Sequence, residues 1–229
     1  MTRDDSIQGR ITGFWSTVAS EYEAHEGNVP ERDSAEFDAW VAAVRELLPP
    51  APADVLDIGT GTGFVALIAA GLGHRVTGID LSEAMLGESQ KAATKAGLDV
   101  QFLLRDAVSP ELEPQSLDAI VCRHFIWTLR EPETAFRNWR ELLRPGGRLV
   151  AIDGYWFREE AEPGLFDRYY SPETRAALLT MRFEQPEPLV AMLERAGFVG
   201  VEVSDLAGVH ALAERPPSTE PWYVVVAQR

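Results

Sequence analysis

The stretch VLDIGTGTGF, Val55 to Phe64, sets three glycines within five residues directly behind an apolar run that ends in an acid. Glycine costs roughly 0.5–1 kcal/mol relative to alanine in regular structure, so a cluster of them signals a bend other residues resist or a close approach to the backbone. The run before the turn reads as a buried strand and the apolar residues after it as a helix. Strands expected at residues 53–58, 75–79, 100–104, 117–122 and 148–152 alternate with helices expected at 63–71, 83–96 and 133–143. Short apolar runs separated by helices of this length indicate a parallel sheet covered on both faces. The glycine turn then falls at the carboxyl end of the first strand, where open α/β sheets take their ligands.

Further out, residues 7–24 carry Ile11, Phe14, Trp15, Val18 and Tyr22 on one broad helical face. A second helix follows a polar break and stops at Pro49 and Pro50. At the other end, PLVAMLERAGF reads as a helix with a glycine stop, and VGVEVSDL and WYVVVAQR as strands that pair antiparallel at the sheet edge. The aromatic, proline-rich segment between Tyr155 and Pro188 reads as a partly helical insertion over one end of the sheet. The expected architecture is therefore one α/β, Rossmann-like doubly wound domain over residues 1–229. Within it lie an N-terminal helical cap (1–50), a ligand-binding core (51–153), an insertion (154–188) and a C-terminal helix with edge strands (189–229).

Charge and composition narrow the partners. A formal charge of -15 repels nucleic acid and anionic lipid surfaces, which favours a small-molecule substrate. The longest apolar stretch, FVALIAAGLG, is too short to span a bilayer, and the first ten residues lack the apolar core of a signal peptide. Cys122 is the only cysteine and sits in the apolar run LDAIVC, where it reads as a packed small hydrophobe. A cytoplasmic protein, monomeric or homodimeric, is the expectation.

The acids around the turn select the ligand. A dinucleotide fingerprint is G-x-G-x-x-G, whereas Gly59-Thr60-Gly61-Thr62-Gly63 is a shorter G-x-G-x-G preceded by Asp57. A carboxylate there suits an ammonium better than a pyrophosphate. Asp80, ending VTGID, can accept from two ribose hydroxyls or cap the helix after it. Asp106, in LLRDAV, can accept from an adenine amine or serve as an ordinary loop acid.

Together with LDAIVCRHFIWTL and LLRPGGRLVAID, these segments resemble the class I S-adenosylmethionine-dependent methyltransferases, in particular the small-molecule enzymes of the ubiquinone and menaquinone group. The resemblance covers about residues 53–153 and implies a seven-stranded sheet whose last strand is antiparallel. It implies S-adenosyl-L-methionine as cofactor, with Asp57, Gly59, Thr60, Gly61 and Gly63 around its methionine portion. Asp80 would hold the ribose beside Leu81 and Met85, Asp106 and Ala107 would meet the adenine edge, and Arg123 would end the fourth strand. Tyr22 and Trp15 are candidates to cover the site from the N-terminal helices, and RPGG, Arg144 to Gly147, is expected only to turn the chain into the fifth strand.

Methyl transfer from a sulfonium is an in-line displacement, so positioning supplies much of the rate, and a base is needed only where the nucleophile starts protonated. His124, after the fourth strand, and His25, in the segment that would close over the site, are the candidate bases. His74, at the opposite strand end, is expected to be structural. Tyr155, Trp156, Tyr169 and Tyr170 are candidates to wall a planar substrate. Metal-ligand spacing such as H-E-x-x-H is absent, and Asp153 has no evident partner set, so no metal is expected. The expected reaction moves a methyl group to an O, N or C atom of a small aromatic or heterocyclic metabolite. An NAD(P)-dependent oxidoreductase and a non-catalytic cofactor-binding protein are the alternatives.

Overall fold

The computed structural model describes residues 6–22, 29–154, 165–183, 185–211 and 222–229. Its centre is a seven-stranded sheet in the order β3-β2-β1-β4-β5-β7-β6. The strands are β1 (Asp54–Ile58), β2 (Arg75–Asp80), β3 (Gln101–Leu104), β4 (Leu117–Arg123), β5 (Leu143–Asp153), β6 (Val199–Asp205) and β7 (Tyr223–Gln228). The first five pair in parallel, and β7 inserts antiparallel between β5 and β6. Strand order reverses between β1 and β4, so a crevice opens beyond their carboxyl ends.

Two apolar layers flank the sheet. On one face lie α2 (Ala35–Leu47), α3 (Phe64–Gly71) and α4 (Glu83–Ala96), which bury Trp40, Val65, Ile68 and Ala93. On the other lie α5 (Pro132–Leu142) and α8 (Glu187–Arg195), which bury Phe136, Trp139, Leu189 and Leu193. The continuous apolar strands follow from this double cover: Val55 faces one layer and Leu56 the other. A third cluster joins α1 (Ile7–Val18) to α6 (Leu165–Tyr169) and α7 (Pro172–Ala177) through Ile11, Trp127, Tyr170 and Leu178. It caps the carboxyl end of the sheet. A last short helix, α9 (Ala207–His210), lies between β6 and β7.

Two expectations need correction. The first helix ends at Val18 rather than Ala24, because the Glu21 amide donates to the Val18 carbonyl and closes a turn. The segment Arg144 to Gly147 is no mere turn into the fifth strand but part of β5. Leu117 pairs with Leu143 while Ala119 pairs with Arg148, so a bulge on β5 absorbs the extra residues.

At the opposite, amino end of the strands, Arg144 bridges Asp54 and Asp118 at 3.0 and 2.7 Å, and Arg75 reaches Asp54 at 2.6 Å. The guanidiniums hold the Asp54 carboxyl below its ordinary range, the Arg75 hydrogen bond most of all. His74 lines a groove at this end, with Asp54 and Asp99. The ion pairs of Arg75 and Arg144 fasten the foot of the sheet.

Candidate active site

The crevice between β1 and β4 is a cleft of about 1010 Å³, counting space open to solvent. Trp15, Tyr22, Asp57, Gly59, Thr60, Gly61, Asp80, Leu81, Met85, Asp106, Ala107, Arg123 and His124 all line it. Gly63 lies beneath, against Ser89 of α4. Tyr169 and Tyr170 do not line the cleft. Tyr170 is fully buried, stacked on Phe166 and hydrogen-bonded to Thr128, while Tyr169 meets Thr17 and the backbone near Gly13. Both hold the cap together, which corrects their assignment as substrate walls: their rings are spent on the apolar interior of the cap. His25, Tyr155 and Trp156 lie outside the described residues.

The glycines of the turn answer to different demands. Gly59 has φ +66, and a Cβ there would meet the Phe125 ring at 2.1 Å, so the close approach comes from the protein itself. Gly61 has φ +55, a Cβ there would meet only the Gly59 carbonyl oxygen at an ordinary 4.0 Å, and its amide donates to Asp80 Oδ2 at 3.0 Å. Of the three, Gly61 is the one where the left-handed backbone, rather than a tight contact, favours glycine.

Asp57 ends its strand buried, 2% exposed. Thr60 Oγ1 donates to its Oδ2 at 2.8 Å and the Ala66 amide to the same oxygen at 3.1 Å, which leaves Oδ1 for a ligand donor. Burial pushes its carboxyl up to about 7 against the pull of those two bonds. Asp80 receives the Ser82 amide on Oδ1 at 2.8 Å and Gly61 on Oδ2, so each oxygen keeps a further lone pair. Burial raises its carboxyl too, opposed by those amides. Asp106 accepts the Val108 amide at 2.8 Å and faces Arg130 at 3.5 Å, and Arg130 in turn reaches Gln8 of α1 at 2.5 Å.

His124 takes φ +54, rare for a side chain with a Cβ. Its amide donates to the Ile152 carbonyl, its carbonyl accepts from Trp127 Nε1, and its ring meets Trp222 edge-on at 4.9 Å. Backbone held in such a region is characteristic of functional sites. Asp153 accepts the amides of Trp127 and Gly154. Among the described residues no group of three or more His, Cys, Asp or Glu side chains converges on a point that could hold a metal ion.

Phe125, Gln8 and Arg130 line the cleft without having been expected there. The paired glycine and phenylalanine stand 66 residues apart, so neither segment announces the contact. Arg130 lies six residues beyond His124, in a stretch with no charge pattern that sets it apart.

The donor set fits S-adenosylmethionine: a carboxylate oxygen beside an open glycine backbone, and a second carboxylate with lone pairs left over at the next strand end. A doubly wound sheet with such a switch point defines a nucleoside-binding class. The family model described as a methyltransferase domain matches residues 56–151. The demethylmenaquinone methyltransferase of Thermus thermophilus is 32% identical over 178 residues, 68% of this chain and 79% of that protein. A ubiquinone/menaquinone biosynthesis C-methyltransferase of Roseobacter denitrificans is 29% identical over 167 residues, 70% of this chain and 65% of that one. Among solved structures, geranyl diphosphate C-methyltransferase of Streptomyces coelicolor superposes over 100% of both chains with a TM-score of 0.70 at 15% identity, a likeness of fold. The chain belongs to the S-adenosylmethionine-dependent methyltransferases, in the ubiquinone/menaquinone methyltransferase group. It is an enzyme of that class with a small-molecule substrate. Nothing in the comparisons supports the oxidoreductase or the non-catalytic alternative.

Proposed function

We propose that the chain is one methyltransferase domain that moves a methyl group from S-adenosylmethionine to an O, N or C atom of a small aromatic or heterocyclic metabolite. The observation that supports the assignment of roles is that Asp57, whose Thr60 and Ala66 bonds both fall on Oδ2, and Asp80, which holds the Gly61 amide, line one cleft at neighbouring strand ends. Asp57 takes the ammonium of the methionine portion. Asp80 accepts from the ribose hydroxyls, with Leu81 and Met85 beside the base and Asp106 and Ala107 at its edge. When bound, the cofactor supplies an electrophilic methyl on a sulfonium. The chain's own residues hold the partners in line and exclude water, and alignment of that kind is worth on the order of 7–11 kcal/mol in favourable systems.

Tyr22 and Trp15 line the cleft from the N-terminal segment; Tyr22 covers the cofactor and Trp15 the substrate, and their electron-rich faces favour a dispersed cation. The relatives named for demethylmenaquinone and for ubiquinone and menaquinone support a planar ring as acceptor. His124 is the base where the nucleophile starts protonated, held by its backbone bonds at the cleft wall. No helix among the described residues is long and apolar enough to cross a membrane. The charge of -15 supports a partner other than nucleic acid, and a cytoplasmic monomer or homodimer remains part of the proposal.

Calorimetric titration with S-adenosylhomocysteine and with NAD(H) tests the reading, followed by a panel of ring metabolites assayed for S-adenosylhomocysteine release. Micromolar binding of the nucleoside thioether and none of the dinucleotide is expected. The opposite pattern overturns the proposal. Within the panel, His124→Ala is expected to lower kcat by 10²-fold or more, in the range of general-base contributions, while leaving S-adenosylhomocysteine affinity within a few-fold.

A further inference from the structure

The helix α1 turns Gln8, Ile11, Thr12 and Trp15 to the cleft, and their spacing of three and four residues sets them on one face. Its other side belongs to the rest of the cap. Phe14 meets Phe166 edge-on with centroids 5.5 Å apart, and Thr17 Oγ1 lies 3.1 Å from the Tyr169 hydroxyl. Towards the sheet, two side-chain bonds pin the helix to the core. Near its start Gln8 Oε1 accepts from Arg130 Nε at 2.5 Å, and near its end Ser16 Oγ meets Ser82 Oγ at 2.9 Å. The pins stand about 12 Å apart along the helix at 1.5 Å per residue. Each ends beside an acid of the cleft: the Ser82 amide donates to Asp80 Oδ1 at 2.8 Å, and Arg130 Nη2 faces Asp106 Oδ2 at 3.5 Å.

Arg130 makes the longer connection. Nε and Nη2 open on the same edge of a guanidinium, so one rigid plate serves Gln8 and Asp106 at once, while Nη1 stands 3.7 Å from Glu131. Asp106 Oδ1 is already held by the Val108 amide at 2.8 Å, which leaves Oδ2 to the arginine. Gln8 also donates to Thr12 Oγ1 at 3.1 Å, and that bond fixes the amide with its oxygen towards Arg130. A chain of polar contacts thus crosses the mouth of the cleft from the end of β3 to the first turns of α1. We propose that Arg130 is a positioning residue: by tying Gln8 to Asp106 it seats α1 over the bound nucleoside, and the cofactor product leaves only when this tie opens. The inference rests on the methyltransferase reading and deepens it, since it assigns the tie no contact with the ligand.

Dissociation of S-adenosylhomocysteine from the purified, immobilised protein, followed by surface plasmon resonance, tests the tie. Gln8→Leu removes the acceptor and leaves Arg130 and Asp106 in place. It is expected to speed dissociation about 5- to 20-fold, the low end for a charge-assisted hydrogen bond because the guanidinium is partly exposed. Arg130→Lys, whose single ammonium cannot span both partners, is expected to behave alike, whereas Gln8→Glu, which restores an acceptor, holds dissociation at or below the wild-type rate. Combining Gln8→Leu with Arg130→Lys should be no faster than the faster single variant, because both break one connection. An unchanged rate in Gln8→Leu overturns the tie, even where its Tm falls, and so does an additive double variant. A wild type that fails to bind S-adenosylhomocysteine overturns the methyltransferase reading itself.

Discussion

Asp57 is the residue whose chemistry is most exposed to pH. Its carboxyl is raised to about 7 by burial, so the folded protein keeps a proton there that the unfolded chain gives up near pH 4. Stability from this group is therefore full in acid and lost as pH rises through 7, while ligand ammonium needs the ionised form. S-adenosylhomocysteine affinity is expected to fall from pH 8 to pH 5.5, approaching tenfold per unit below about 7. Asp80 is shifted the same way, so Asp57→Asn should lower that slope without abolishing it. The same variant should resist urea better than wild type at pH 8 and no better at pH 4. Calorimetry across the range checks the first point, and an affinity flat in pH would remove Asp57 from the ligand's ammonium. Gly59 gives the second residue-scale expectation. Gly59→Ala combines a left-handed backbone with a Cβ driven into Phe125, and overpacking of this kind costs about 1–3 kcal/mol before the backbone penalty is added. Chemical denaturation should register that loss, and adding Phe125→Ala should restore only the steric part.

Among the elements, α4 shows how a cap doubles as a fastening. Ser82 accepts the Met85 amide at 3.2 Å and meets Ser16 of α1 at 2.9 Å. Ser82→Ala removes both, and the cap alone is worth about 1 kcal/mol. In a chain of this size that lowers Tm by roughly 2–4 °C, which calorimetric scanning resolves. An unchanged Tm would mean that neither bond contributes. The alternation of β1, α3, β2 and α4 was legible in the sequence because buried parallel strands and amphipathic helices leave separate periodic marks, and the acids ending β1 and β2 carry theirs beside the glycines. The bulge in β5 was hidden, since RPGG carries the same residues that end a helix and turn the chain. Tyr170 was misread because an aromatic in a polar, proline-rich insertion looks exposed until its partners Thr128 and Phe166 are known. The Phe125 ring against Gly59 and the Trp40, Phe64 and Trp222 rings around the Arg123 guanidinium come from remote segments, and no local pattern encodes such meetings.

The whole molecule gathers its ligand groups at the reversal of strand order, while the linked ion pairs of Arg144, Arg75, Asp54 and Asp118 sit at the other end of the sheet. Ligand that binds only the folded form stabilises it by mass action, about 2.7 kcal/mol at one hundred times Kd. Saturating S-adenosylhomocysteine should therefore raise Tm by roughly 5–10 °C, and an unmoved transition would contradict binding at the cleft. The placement of β7 has a consequence for biogenesis. Residues 223–228 occupy an interior position of the sheet, between β5 and β6, and Trp222 just before them packs on Trp40 and over the Arg123 guanidinium. While the nascent polypeptide is still emerging from the ribosome, β5 offers an unsatisfied edge, and such edges invite intermolecular pairing. Translation must deliver this strand before that edge is covered, so a product truncated ahead of residue 222 would be adhesive.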